Sequence, residues 1–249
     1  MLIKSCLCLS LTVVLMGCAT DDDQTRIAWN SYANLQMQGS VTEADIPADI
    51  KTDSWARLPA ANRATLDVEG QRAYDLMTSP GQGYENGLRG PLGMWVYSPE
   101  MATGAWMLRQ RVRYGTAKDQ RFTELTIIST ARELSNQYEY TAHEPLGRAA
   151  GLEQEIMDFV KYRRPLSEAD TVPGMGDTEK LIIQFTRELI SEPKVSSEVF
   201  AQLLEQMGEE GVMDLVGLIG YYHFVGMTIK AFDVQNPPGT ALLMPMAQL

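Results

Sequence analysis

A carboxylate and a histidine in the middle of the chain have the spacing of a proton-transfer pair. Glu139 and His143 lie four residues apart. On a helix that advances by about 100° per residue they share one face with Asn136. A carboxylate at this distance can orient an imidazole, raise its basicity and pass protons near neutral pH. The pair is therefore a candidate acid–base site, and the alternative is a surface ion pair or a buried histidine with a satisfied partner.

Arginine and aromatic side chains could complete such a site. A guanidinium fork matches the geometry of a carboxylate, so Arg89 or Arg113 could hold an acidic substrate. Either could equally be a solvent-exposed cation in an acidic protein. Trp106, Tyr138 and Tyr222 could line an apolar pocket, although aromatic residues on helices commonly form plain core.

Composition excludes several other kinds of chemistry. The 21 basic and 32 acidic residues give a net charge of −11, which disfavours nucleic-acid binding. The three cysteines are Cys6, Cys8 and Cys18, so the rest of the chain has no thiolate metal site and no redox pair. His143-Glu144 lacks the second histidine of a zinc-binding HExxH motif. We therefore expect no bound metal.

Helical patterns run through almost all of the chain after Gly93, and alternating strand patterns are missing. Ser98-Pro99-Glu100 is typical of a helix start, and Gly115 and Gly151 are typical of helix ends. The sequence predicts an all-α helical bundle in a single domain. Its predicted helices are a short one at 27–37, Asp67–Met77, 98–114, Lys118–Leu134, Asn136–Ala149, Glu153–Arg163, Asp177–Ile190, Ser197–Met207 and Glu209–Phe232.

The last of these helices is strongly apolar from Val212 to Phe232. Asp214, His223 and Lys230 interrupt it, together with several glycines. This pattern favours a central helix of a bundle, or one buried between subunits, over a membrane span. In this setting we expect His223 to be structural.

The first residues have the pattern of a secretory signal. Lys4 precedes an apolar run that is too short to span a bilayer of roughly 30 Å. Leu15-Met16-Gly17-Cys18 resembles the lipobox of bacterial lipoproteins, and this implies that residues 1–17 are removed and that Cys18 carries lipid. Ala19 resembles lipoproteins sent on to the outer membrane, facing the periplasm. The alternative is an ordinary cleaved signal with a chance cysteine.

This prediction divides the chain into three parts. Residues 1–17 are the signal peptide, residues 18–53 are a tether and N-terminal extension, and residues 54–249 are the helical domain. Membrane contact is expected through the lipid anchor alone.

Several short motifs carry a family resemblance across Asp67–Val234. The region resembles the carboxymuconolactone decarboxylase and alkylhydroperoxidase D-like proteins, which implies a helical bundle that forms trimers or hexamers and needs no cofactor. The motifs are Arg89-Gly90-Pro91, Ser98-Pro99-Glu100, Glu124-Leu125, Ala131-Arg132-Glu133, Gln137-Tyr138-Glu139-Tyr140 with His143-Glu144, and Gly220-Tyr221-Tyr222 leading to Ala231-Phe232.

The peroxidase branch of that family has a glutamate, a CxxC pair and a histidine on adjacent helices. Counted back from His143, the glutamate corresponds to Glu124 and the two cysteines to Asn136 and Glu139. Disulfide-linked peroxide reduction therefore does not carry over. Glu124 and His143 resemble the part shared with the decarboxylase branch, with Glu139 as an added carboxylate.

The resemblance implies a cofactor-free enzyme that acts by acid–base chemistry on a conjugated carboxylic acid or lactone. His143 would donate the proton, Glu139 would orient it, and Glu124 would be a second base or relay, unless Glu124 is a structural glutamate between two helices. A non-catalytic envelope binding or scaffold protein, or a peroxidase-type enzyme, would have the same fold. The expected substrate-binding residues are Arg89, Arg113, Asn136, Tyr138, Trp106 and Tyr222.

Overall fold

The computed structural model describes residues 35–115 and 119–247, and within them the fold is all-α and a single domain, as predicted. Two short strands, β1 (Leu35–Gln36) and β2 (Met246–Ala247), pair antiparallel with Leu35 opposite Ala247. The α-helices in the described residues are α1 (Val68–Met77), α2 (Gly90–Trp95), α3 (Pro99–Tyr114), α4 (Gln120–Glu133), α5 (Gln137–Ala149), α6 (Gln154–Lys161), α7 (Asp177–Ser191) and α8 (Ser197–Phe232).

Local capping explains where several helices begin. The side chain of Asp67 accepts a hydrogen bond of 2.7 Å from the amide of Gly70, and Asp119 accepts one of 2.9 Å from Arg121. Such side chains satisfy backbone donors that have no partner within the helix. Asn136 caps α5 in the same way, so the residue predicted as part of the site also fixes the start of that helix.

The sequence patterns did not predict α2 or the strand pair. All six residues of α2 are buried, so no polar face marks a helical period, and its glycines and proline disfavour a helix prediction. Of the short helix predicted at 27–37, residues 27–34 lie outside the described part of the chain. Leu35 and Gln36 form β1 instead.

Helix α4 contains the longest buried run among the helices of the described residues. All ten residues from 123 to 132 are buried, and the helix packs against α5, α7 and α8. Thr126 and Thr130 donate hydrogen bonds of 2.8 Å to the carbonyls of Phe122 and Thr126, so their hydroxyls are satisfied inside the core. The polar residues of α4 are therefore interior groups.

Helix α8 is interrupted at Gly208. This residue has φ 66° and ψ 176°, which no helix contains, and the break lies between the two helices predicted at Ser197–Met207 and Glu209–Phe232. By length and composition α8 is the one helix of the described residues that could cross a membrane. In this fold it packs against α2, α3, α4 and α7.

The two ends of the described chain lie together on the bundle. Val41 donates a backbone hydrogen bond of 2.9 Å to Thr240, and Met244 is fully buried. Arg132 donates a hydrogen bond of 2.6 Å to the carbonyl of Pro245, and Gln137 donates one of 2.9 Å to that of Met244. Residues from within the predicted extension therefore pack on the helical body. The predicted signal peptide and Cys18 lie outside the described residues.

Candidate acid–base site

His143 lies between two carboxylates at the centre of the bundle. Its Nδ1 is 2.6 Å from Oε2 of Glu124 on α4, and its Nε2 is 3.3 Å from Oε2 of Glu139 one turn earlier on α5. The three side chains are only 3% to 6% exposed. The structure therefore brings together the three residues predicted as catalytic.

Arg113 completes a row of alternating charges. Its guanidinium donates a hydrogen bond of 2.5 Å to Oε1 of Glu124, whose other oxygen faces His143. With His143 protonated, the row from Arg113 through Glu124 and His143 to Glu139 carries two positive and two negative charges. Such pairing offsets the cost of burying each charge.

The row changes the proton affinities of its members. Burial alone lowers the pKa of His143, but hydrogen bonds to Glu124 and Glu139 and the charges of both carboxylates outweigh burial, so this pKa lies above its ordinary value. Burial raises the pKa of Glu124, but the hydrogen bond and charge of His143, with the charge of Arg113, hold it below its ordinary value. Both shifts favour the charged forms.

The geometry separates the roles of the two glutamates. The contact of His143 with Glu124 is the shorter one, and Arg113 fixes the carboxylate of Glu124 in turn. Glu124 is therefore the group that orients the imidazole, whereas the sequence had suggested Glu139. The longer contact at Nε2 leaves Glu139 on the side where a proton can be exchanged.

Aromatic rings surround this row of charges. Tyr222 meets His143 edge to face, with ring centroids 5.1 Å apart, and Tyr221 lies 5.2 Å from Tyr222. Burial raises the pKa of Tyr222 well above its ordinary value, so its hydroxyl stays protonated. Tyr222 therefore packs directly against the imidazole of His143.

Two of the other predicted residues lie next to Tyr84, on the glycine-rich loop before α2. The guanidinium of Arg89 is 4.9 Å from the centre of the Tyr84 ring and donates a hydrogen bond of 3.2 Å to the carbonyl of Gly83. Trp106 on α3 is buried, and its ring centroid lies 6.1 Å from that of Tyr84. Both residues therefore contact the ring of Tyr84.

Asn136 and Tyr138 instead line a neighbouring cleft of about 790 Å³. This cleft lies between the N-terminal segment, the turn before α5 and the end of α8, and it also includes the exposed His223. A Cβ atom on Gly90 would lie 2.7 Å from the Tyr138 hydroxyl, so glycine is required for that close approach. Tyr138 is thus held between α2 and the cleft.

Sequence reasoning missed Arg109 and Tyr84. Arg109 is buried, and its guanidinium lies 5.8 Å from the centre of the Tyr84 ring. The pKa of Tyr84 lies above its ordinary value, because burial and the charge of Glu139 raise it by more than the charge of Arg109 lowers it. The available signal was the four-residue spacing of Arg109 and Arg113, which places both on one face of α3.

No group of three His, Cys, Asp or Glu side chains within 35–115 and 119–247 is arranged to hold a metal ion. Glu124 and Glu139 contact opposite nitrogens of His143 instead of converging on one point. The arrangement is suited to proton transfer.

Comparison with solved structures identifies the fold. The crystal structure of an alkylhydroperoxidase AhpD core, an uncharacterized peroxidase-related protein from Ralstonia eutropha JMP134, is similar with a TM-score of 0.56. The two sequences are 14% identical, and the similarity covers 76% of this chain and 95% of that chain. The chain therefore has the alkylhydroperoxidase D-like fold. No family model and no curated protein matches it.

Proposed function

We propose that the protein is a cofactor-free enzyme of the decarboxylase type, acting by acid–base chemistry on a small conjugated carboxylic acid or lactone. The observation that carries the proposal is the placement of His143 between Glu124 and Glu139 in a buried, charge-balanced row. His143 has a carboxylate at each nitrogen, so its ring can both hold and exchange a proton. Perturbed titratable groups with defined partners are typical of catalytic sites.

The proton moves at the Nε2 side of the imidazole. Glu124 accepts from Nδ1 and remains charged because Arg113 holds it. Nε2 then shares the transferable proton with Glu139, and each positioned acid or base of this kind contributes about 10²- to 10⁴-fold to a rate.

The reaction balances without a cofactor when the substrate is conjugated. The bond between carbon and the carboxylate breaks, carbon dioxide leaves, and the electron pair moves into the conjugated carbonyl to form a dienolate. His143 or Glu139 then gives a proton to carbon, and solvent restores it. The nearby aromatic rings exclude water from the dienolate.

A peroxidase of the disulfide type is the second candidate, since the similar structure is described as peroxidase-related. That chemistry needs two thiols beside the histidine. Asn136 and Glu139 stand at the positions that the family resemblance assigns to them, and every cysteine of the chain lies within its first 18 residues. The acid–base proposal is therefore the stronger one.

Turnover of conjugated acids and lactones by the wild type, Glu139→Gln, His143→Ala and the double variant tests the proposal. Each single change should lower kcat by about 10²-fold or more, and the second change should add little, because groups in one proton transfer are not additive. Arg111→Gln changes an exposed arginine that pairs with Glu210 and Asp214, and it should keep wild-type turnover. If folded Glu139→Gln and His143→Ala both have wild-type rates, the catalytic proposal is contradicted and the non-catalytic binding function is favoured.

We also propose that the protein is exported and lipid-anchored at Cys18, on the outer membrane and facing the periplasm. The support is the Leu15-Met16-Gly17-Cys18 motif after a short apolar run. Each buried methylene of an acyl chain adds about 0.8 kcal/mol to membrane binding. Cys18→Ser should therefore remove the protein from the membrane fraction, and complete retention there would show that the anchor lies elsewhere.

A further inference from the structure

Arg109 is a buried cation with few partners. Only 6% of its surface is exposed, and its one hydrogen bond is a long one, 3.3 Å from Nη2 to the hydroxyl of Tyr114. No carboxylate of the described residues forms an ion pair with it, whereas the buried Arg113 is paired with Glu124. A guanidinium has five N–H donors, and a buried charge is normally paired. Most of the donors of Arg109 are therefore available to an anion.

Three rings surround the Arg109 guanidinium. Its carbon lies 4.7 Å from the ring centre of Trp106, 5.1 Å from that of Tyr114 and 5.8 Å from that of Tyr84. Ring faces attract a cation and offset part of its desolvation. Ring faces do not accept hydrogen bonds from N–H groups in the plane of the guanidinium. The rings therefore enclose Arg109 without pairing its charge.

The position of Arg109 connects it to the acid–base row. Arg109 and Arg113 lie one turn apart on α3, and both guanidinium groups lie about as close to the ring of Tyr114, at 5.1 and 5.0 Å. Tyr84 lies between Arg109 and the exposed Arg89, whose guanidinium is 4.9 Å from the same ring. A ligand at Arg109 would therefore have a second cation near it and the proton-transfer groups behind it.

We propose that Arg109 is the anion-binding residue of this site and holds the carboxylate of a planar, conjugated acid, with the body of the acid packed against the outer side of the Trp106 and Tyr84 pair. Arg89 supplies a second positive charge at the surface side. That the bound acid is also converted rests on the proposed function. That it binds depends only on Arg109. Arg109 thereby takes the role of binding a substrate carboxylate that the sequence had suggested for Arg113, because Arg113 is already paired with Glu124.

Benzoate binding to the full chain, solubilised in a nonionic detergent, tests this site by titration calorimetry. Benzoate has a planar conjugated body and one carboxylate, and benzamide has the same shape without the charge. We expect benzoate to bind the wild type and benzamide to bind at least about tenfold more weakly. Arg109→Gln should weaken benzoate binding by at least about tenfold, and Arg109→Lys should give an intermediate loss because it keeps the charge without the fork.

Arg111→Gln is the matched control. Arg111 is on the same helix but exposed, and it pairs with Asp214 and Glu210, so its loss should leave benzoate binding unchanged. The melting temperature of Arg109→Gln should equal or exceed that of the wild type, because the change removes a buried charge that no carboxylate of the described residues pairs with. Absence of benzoate binding to the wild type, or equal binding to wild type and Arg109→Gln, would overturn the proposal. So would wild-type affinity in Arg109→Lys.

The result is separable from the test of catalysis. His143→Ala should still bind benzoate, since the anion contacts Arg109 and not the imidazole. If benzoate binding depends on Arg109 but no acid is turned over, the anion-binding proposal is supported and the decarboxylase proposal is contradicted. If Arg109→Gln turns over substrate with an unchanged KM, the anion-binding proposal is contradicted and the decarboxylase proposal is supported.

Discussion

His143 holds its proton more tightly in the folded chain than in the unfolded chain, because two carboxylates face its ring. Its folded pKa lies above the ordinary value of 6.5. Its contribution to stability is therefore complete below pH 6.5 and is lost as the pH rises through the folded pKa. Glu124, whose folded pKa is lowered, contributes stability above pH 4.5 that is lost as the pH falls through its folded pKa.

Melting curves across pH check this linkage at the level of one residue. We expect the wild-type melting temperature to decline as the pH rises above about 6.5, and His143→Gln to lack that part of the decline. His223→Gln, at the exposed histidine, should keep the wild-type profile. Identical profiles for the wild type and His143→Gln would show that the imidazole does not bind its proton more tightly on folding.

The sequence was sufficient to predict three residues whose side chains meet in the core, and insufficient to predict which carboxylate lies closer to the imidazole. Helical spacing placed Glu139 beside His143, and the family resemblance added Glu124. Which carboxylate orients the ring depends on the contact of Arg113 with Glu124, and no spacing rule encodes a contact between two helices. Arg109 was not predicted for the same reason. Its distinguishing feature is that no carboxylate of the described residues pairs with it, and spacing in the sequence does not reveal such a feature.

At the scale of elements, the difficult cases are helices whose burial does not follow hydrophobicity. α4 is enclosed on all sides although it contains threonines, Ser129 and Glu124, since the threonines bond to carbonyls of their own helix. α8 is the more apolar helix, yet Met213 and Met227 on it are 66% and 56% exposed. Hydrophobicity alone therefore does not rank these two helices by their burial.

The break in α8 makes a prediction about Gly208. Its φ of 66° with ψ of 176° is a conformation that is essentially confined to glycine. Gly208→Ala should lower the free energy of unfolding by about 1 to 3 kcal/mol. Gly104→Ala, on the exposed side of α3 where an added Cβ meets nothing within 4 Å, should instead raise it by about 0.5 to 1 kcal/mol. Urea unfolding measures both, and stabilisation in both variants would show that α8 is continuous.

At the scale of the whole molecule, helix periods and caps were enough to predict an all-α domain, and the fold is confirmed. The packing of the chain ends was not predictable from such patterns. The pairing of β1 with β2 involves two residues on each side, separated by most of the chain. Short pairings of this kind depend on tertiary contacts and leave no periodic signal in the sequence.

The outer face formed by α3 and α8 leads to the last prediction, that the protein forms homo-oligomers. Met107 is 66% and Leu108 is 42% exposed on α3, and Met213 is 66% exposed on α8. The two helices approach closely there, since a Cβ on Gly217 would lie 3.1 Å from Val112. Large apolar side chains that are exposed together on one monomer often mark a protein contact, so we expect these to be covered by a second copy in a trimer or hexamer.

Sedimentation of a version of the chain that begins at residue 19 measures the assembly without the lipid. The wild type should sediment as a trimer or hexamer at micromolar concentration. Met107→Glu with Met213→Glu should shift it towards the monomer without loss of helix content, because burying two new carboxylates in the contact is costly. Met37→Glu adds a charge at an exposed methionine away from this face and should leave the assembly intact. A wild type that sediments as a monomer would show that the apolar face is open to water, or that it is covered by something other than a copy of this chain.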